Sequence, residues 1–224
     1  KLVYVANNRL YLRNLNALDA VELQGTEDAQ GPFFSPDGEW IGFLSGQLKK
    51  VPVNGGQAVA ICAIGVLDAL GASWGPDNTI LFGGIYKGIF RVPANGGDPT
   101  VIVKPSASLS YANPQFLPDG QTFLYQRGAP GDQDELVIRS LDKNDDTVLL
   151  TGGYDYQFLG SGYLVYAMGA RGQDLSAVAF DVASRKIVGN PVTVVRGVKD
   201  SSSGSTSNFA VSASGTLIYL PANR

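Results

Sequence analysis

One pattern returns along this chain at a near-constant interval, and it limits the fold more than any other feature. FFSPDGEWIGF, Phe33 to Phe43, reappears as SWGPDNTILFG from Ser73 and as QFLPDGQTFLY from Gln115. Looser copies are QFLGSGYLVYA from Gln157 and FAVSASGTLIYL from Phe209. The aligned turn residues Asp37, Asp77, Asp119, Ser161 and Ser214 lie 40, 42, 42 and 53 residues apart by subtraction of their numbers. A second turn keeps the same register. KKVPVNGGQAVAI from Lys49 matches FRVPANGGDPTVI from Phe90, with Asn54-Gly55-Gly56 and Asn95-Gly96-Gly97 at the tips.

Each unit therefore reads as four short strands. Strand A (PFFS) runs into the Pro-Asp-Gly turn, and strand B (WIGFL) leaves it. Strand C (LKKVPV) follows, then the Asn-Gly-Gly turn and strand D (AVAIC). Asn-Gly favours a tight two-residue hairpin because both central residues tolerate positive φ. Helical periodicity is absent. Four antiparallel strands per unit, at a period of about 40–45 residues, mark an all-β chain built as a β-propeller of about five recognisable blades.

The blade units fall at approximately 1–28, 29–68, 69–109, 110–153 and 154–204, with a partial unit at 205–224, all in one propeller domain. The amino terminus supplies B, C and D strands, and NFAVSASGTLIYL supplies an A and a B strand. Because both ends fall inside blades, the pattern predicts a segment of a longer propeller. Half-blades leave unpaired edges, so self-association through them is expected.

Composition narrows the partners. Seventeen basic residues against twenty acidic give a net charge of −3 and a pI near 4.9. The Lys and Arg are scattered singly, whereas phosphate backbones demand clusters, so nucleic acid is not expected as a partner. No apolar run reaches the roughly 18–20 residues of a membrane helix, and the chain contains no recognisable signal peptide. It also begins without Met, which points to a mature product or an excised domain. The single Cys62, in the strand-like QAVAIC, excludes an internal disulfide and reads as a buried, inert thiol. There is no histidine. That removes the usual general base near neutral pH and the commonest transition-metal ligand, so no cofactor is expected and the chain is read as a non-enzyme.

The run AVELQGTEDAQGPFFSPDGEWIGFLSGQLKKVPVNGGQAV resembles the WD-repeat-like propellers marked by a Pro-Asp turn, related to the propeller of the Tol translocation system. It is most similar to the domain on the carboxyl side of bacterial transmembrane Ser/Thr protein kinases. GASWGPDNTILFGG, IFRVPANGGDP and NPQFLPDGQTFLY carry the resemblance onward to about Leu150. Beyond that point Gly160-Ser161-Gly162 replaces Pro-Asp-Gly. The resemblance implies a sensing or interaction module, extracytoplasmic in many members. The kinase motifs themselves are absent from this sequence.

Other motifs have plain structural readings. In the repeated turn, Pro36 presets φ, Asp37 bonds back to the turn backbone and Gly38 takes positive φ; the carboxylates are hinge residues. GASWG, Gly71 to Gly75, spells a nucleophile elbow, but Pro76-Asp77 follows it instead of a helix, and no histidine exists to take the serine proton. SLDK, Ser140 to Lys143, reads as a polar turn. DKNDD, Asp142 to Asp146, starts like a calcium loop yet lacks its Gly and terminal Glu, so whether a metal binds is left open.

The segments before the A strands would rim one mouth of a propeller channel. Carboxylates, amides and tyrosines there make Asp28, Asp68, Tyr111, Asn113, Tyr154, Asp155 and Tyr156 the candidate ligand-binding residues. The expected partner is a protein or a small polar ligand. The rival readings are a lyase or hydrolase using these carboxylates and tyrosines, and the gating propeller of a serine peptidase.

Overall fold

The computed structural model describes residues 1–64, 69–128, 133–169, 174–199 and 208–222. These hold twenty-one strands and no helix. The chain forms two compact units, residues 1–114 and 115–224.

In the first unit β1 (Leu2–Ala6), β2 (Arg9–Arg13) and β3 (Ala20–Glu22) make a three-stranded sheet. β4 (Gln30–Phe34), β5 (Trp40–Leu44), β6 (Gln47–Pro52) and β7 (Val59–Ala63) make the next blade. β8 (Ala69–Trp74), β9 (Thr79–Gly84), β10 (Gly88–Pro93) and β11 (Thr100–Val103) make the one after. β12 (Ser110–Phe116) crosses the boundary between the units, and β13 (Thr122–Gly128), β14 (Glu135–Ser140) and β15 (Thr147–Thr151) follow it in the same sheet. Then come β16 (Tyr154–Leu159), β17 (Tyr163–Met168), β18 (Asp174–Asp181) and β19 (Lys186–Arg196), and last the hairpin β20 (Phe209–Val211) and β21 (Leu217–Tyr219). Neighbours pair antiparallel in chain order, as the repeat predicts.

The packing follows from the two-residue alternation of strands. In β5, Ile41 and Phe43 face the amino-terminal sheet, in a cluster with Leu10 and Leu23. Trp40 and Leu44 face the next blade, in a cluster with Trp74, Ile80 and Phe82. β17 does the same in the second unit: Leu164 and Tyr166 join Leu117 and Leu136, while Val165 and Ala167 join Phe209 of the last hairpin. The blades β4–β7 and β16–β19 are thus apolar on both faces, which suits them to stacking between neighbours.

The repeated turn is a hinge in all five copies. The amide donates back three residues at each: Gly38 to Ser35 O at 2.9 Å, Asn78 to Gly75 O at 3.1 Å, and Gly120 to Leu117 O at 3.0 Å. Gly162 to Leu159 O and Gly215 to Ser212 O, both 2.9 Å, complete the set. The donors have φ between 59° and 89°, the left-handed region that Gly and Asn tolerate. Asp37 Oδ1 accepts from Glu39 N at 3.0 Å and Ser35 Oγ at 2.5 Å. Asp119 accepts from Gln121 N, Thr122 N and Thr122 Oγ1.

The Asn-Gly-Gly tips differ from expectation. They are not two-residue hairpins, since positive φ falls on Gly55, Gly56, Gly96 and Gly97, not on the asparagines. The reason is burial: Val53 and Ala94 continue the ladder inward, donating to Glu39 O and Asn78 O at 2.9 Å each, and the chain reverses only after them.

Candidate functional site

The segments before the A strands share one backbone device. At the sixth residue before the turn position, Gly31, Gly71, Asn113 and Asp155 all have positive φ. Ladder registers slip there between Gln30 and Phe33, Ala69 and Ala72, and Tyr154 and Gln157. This is a β-bulge, which inserts an unpaired residue and redirects the strand.

The bulge decides where the predicted residues go. Asp28 is exposed in a tight turn, itself at positive φ. Asp68 lies outside the described residues. Tyr111 is buried in β12. The Asn113 side-chain oxygen presses on Gly71, where a Cβ would collide with it, and its buried Nδ2 has no hydrogen-bond partner among the described residues. Asp155 is buried, and its amide donates to Gln126 Oε1 at 2.9 Å. Gln126 Nε2 donates in turn to Asp134 Oδ2 at 2.7 Å, and burial pushes the Asp134 carboxyl above its usual range despite that bond. Tyr156 is a core residue that stacks on Tyr166, and its hydroxyl donates to Gly152 O at 2.7 Å. Burial raises its pKa. Tyr154 packs on the other side, against the cluster of Leu159 and Val165. β16 thus carries three of the predicted residues but divides them between its faces.

In the DKNDD segment two of the three carboxylates, Asp145 and Asp146, are engaged by protein groups. Asp145 accepts from Ser140 N and Oγ at 2.8 Å each, and from Arg185 Nη1 at 3.3 Å. Asp146 pairs with Arg139 at 3.0 Å. Among the described residues no three Asp, Glu, Cys or His side chains group as metal ligands.

A different place collects chemistry. At the far end of β4 and β8 from the bulges, a cleft of about 420 Å³ is lined by residues of two consecutive blades, among them Asp37, Trp40, Lys50, Trp74, Asn78 and Asn95. The Lys50 ammonium stands 4.7 Å from the centroid of the Trp40 ring and 5.7 Å from that of Trp74, within the range of cation–π attraction. It donates to Ala94 O at 2.8 Å and reaches Asn95 Oδ1 at 3.5 Å. Burial lowers its pKa. No carboxylate ion-pairs with it among the described residues. Trp74 Nε1 donates to Asn78 Oδ1 at 3.1 Å, which fixes that indole. On the rim, the Ser35 and Glu39 hydrogen bonds hold Asp37 below the ordinary carboxylate range, so it is ionised at neutral pH. The cleft escaped sequence reasoning, although it had a signal: the chain has two tryptophans, and each flanks a Pro-Asp turn of consecutive repeats.

No family model and no curated protein matches the chain. Solved structures do. TolB from Acinetobacter baumannii is 18% identical with a TM-score of 0.68, over 87% of this chain and 51% of that one. The chain has the β-propeller fold. It is similar as well to a gluconolactonase from Xanthomonas campestris, 12% identical with a TM-score of 0.66, over 85% of this chain and 69% of that one. A puromycin-hydrolysing peptidase from Mycobacterium tuberculosis is 14% identical with a TM-score of 0.60, over 98% of this chain and 43% of that one. The propeller thus spans about half the length of TolB.

The gluconolactonase corrects one expectation. Catalysis was excluded on the missing histidine and the lack of a recognisable triad, yet enzymes are built on this fold. Carboxylates and lysines also carry proton transfers when their surroundings shift them, so the absence of one residue type does not make a propeller a non-enzyme.

Proposed function

We propose that the chain is a ligand- or protein-binding propeller, the sensing or interaction part of a larger bacterial protein, with its recognition site in the Trp40–Lys50–Trp74 cleft. The observation that carries this is the state of Lys50. A lysine needed only for solubility keeps its ammonium in water. This one is drawn between two indoles, partly desolvated and without an ion-pair partner among the described residues. The Pro-Asp turns, by contrast, use their carboxylates to hold the backbone. Support for the sensing role comes from the Pro-Asp-Gly and Asn-Gly-Gly repeats that resemble the propellers attached to bacterial membrane kinases.

Both tryptophans line the cleft, so intrinsic fluorescence tests the reading directly. A panel of peptides, sugars and nucleotides is titrated into the chain. A true ligand shifts the emission, and Lys50→Met removes the shift. A second reading rests on the Nδ2 of Asn113, which has no partner among the described residues and favours a ligand at the pre-A segments. Binding that leaves tryptophan emission unchanged and perturbs the β12 and β16 amide resonances would overturn the cleft in favour of that site.

A further inference from the structure

Resting on the cleft reading, we infer that the cleft takes an acidic sugar, a pyranose ring bearing a carboxylate. Three kinds of group meet there, and each makes a separate demand. Of the two indoles, Trp40 is half-buried and gives the cleft part of a flat, electron-rich face, which suits the C–H face of a saturated ring, while Trp74 is a buried core residue behind it. The Lys50 ammonium has three donors, of which two reach Ala94 O and Asn95 Oδ1. It calls for an anionic acceptor, and a carboxylate bonded to a partly desolvated cation makes a charge-assisted bond about twice as strong as a neutral one.

Asp37 makes the third demand. Its Oδ1 is occupied by Ser35 and Glu39, while its second oxygen has no partner among the described residues. Asp37 is exposed at the rim and an ionised carboxylate only accepts, so a ligand that brings O–H or N–H donors there gains a bond that one without them does not. An aliphatic or aromatic acid satisfies Lys50 but has no donor for Asp37. A neutral sugar satisfies Asp37 and Trp40 but leaves the charge on Lys50 unanswered. A phosphate would suit a cluster of arginines or a nest of backbone amides better than a single lysine facing a carboxylate. A sugar acid meets all three demands. The cleft volume, about 420 Å³, is at the lower end for ligand sites, which run to roughly 300–1,000 Å³, and fits a short saccharide.

The test uses the whole chain with glucuronic acid, its short oligomers, glucose and acetate as probes. Tryptophan emission is read alongside the two indole Nε1–H resonances. Glucuronate is expected to move both indole resonances and to bind at least about tenfold more tightly than glucose or acetate. Lys50→Met is expected to bring glucuronate down to the level of glucose, and Lys50→Arg to keep part of the preference. The resonance readout on the unaltered chain decides the matter if either variant folds poorly. Equal affinity for glucuronate and glucose, or for glucuronate and acetate, overturns the sugar acid. If no sugar moves the indoles but another ligand does, with loss in Lys50→Met, the acidic sugar is wrong and the cleft stands. If no ligand of any class moves them while one binds elsewhere, both readings fall.

Discussion

Gln115 and Phe158 exchange two hydrogen bonds: Phe158 N donates to Gln115 Oε1 at 2.7 Å, and Gln115 Nε2 donates to Phe158 O at 3.1 Å. A side-chain amide here imitates a strand, tying β12 to β16, the first strands of two consecutive blades. Gln157, one repeat further on, does half of the same job by accepting from Val211 N at 3.1 Å. Gln115→Met keeps the length of the side chain and leaves a backbone amide of the buried Phe158 unpaired. A loss of about 1–3 kcal/mol is expected in urea unfolding. An unchanged midpoint would show that the seam is held by apolar packing alone.

Asp119 is a hinge with a pH signature. Burial alone would raise its carboxyl, but hydrogen bonds from Thr122 and Gln121, with the nearby Arg185, outweigh that and lower it. A depressed folded pKa contributes stability that is present above the unfolded value, about 3.9, and is lost as pH falls through the folded one. Asp119→Ala should therefore cost about 1–2 kcal/mol at pH 7, with the gap narrowing as the pH drops to 3 and below. Melts across that range check it. A gap that does not change with pH rules out the charged hinge.

Gly83 of β9 stands against the backbone of β12 at Tyr111, within the first unit. A Cβ there would run into the backbone carbonyl of Tyr111, and a backbone atom cannot step aside as the end of a side chain does. Gly83→Ala is expected to cost about 3 kcal/mol, the upper end for overpacking. Thermal unfolding measures it, and a neutral substitution would mean that the blades separate freely at this point.

Cys62 is buried in β7 within the cluster of Leu48, Ile61 and Trp74, and burial pushes its thiol up. The thiolate is the reactive form. At pH 8 a thiol reagent should label Cys62 slowly in the folded chain and rapidly in denaturant. Fast labelling in the folded state would show that the seam between these two blades opens readily.

The sequence alone determined the blade plan. Pro-Asp-Gly, its Ser-Gly replacement and the apolar runs around them are local signals, because turn chemistry depends on residues three or four apart and strand alternation on residues two apart. For that reason even Leu159 to Gly162, with neither Pro nor Asp, makes the same turn bond as Ser35 to Gly38. The sites were decided by the tertiary structure. At Asp155 the bulge breaks the two-residue alternation, and Tyr156 turns into the core beside Tyr166 instead of staying with its neighbours at a rim. Trp40, Lys50, Trp74 and Asn95 are spread over more than fifty residues, and only the stacking of one blade on the next brings them to the same cleft. No local pattern encodes such a meeting, since it depends on which face of each strand the neighbouring blade covers.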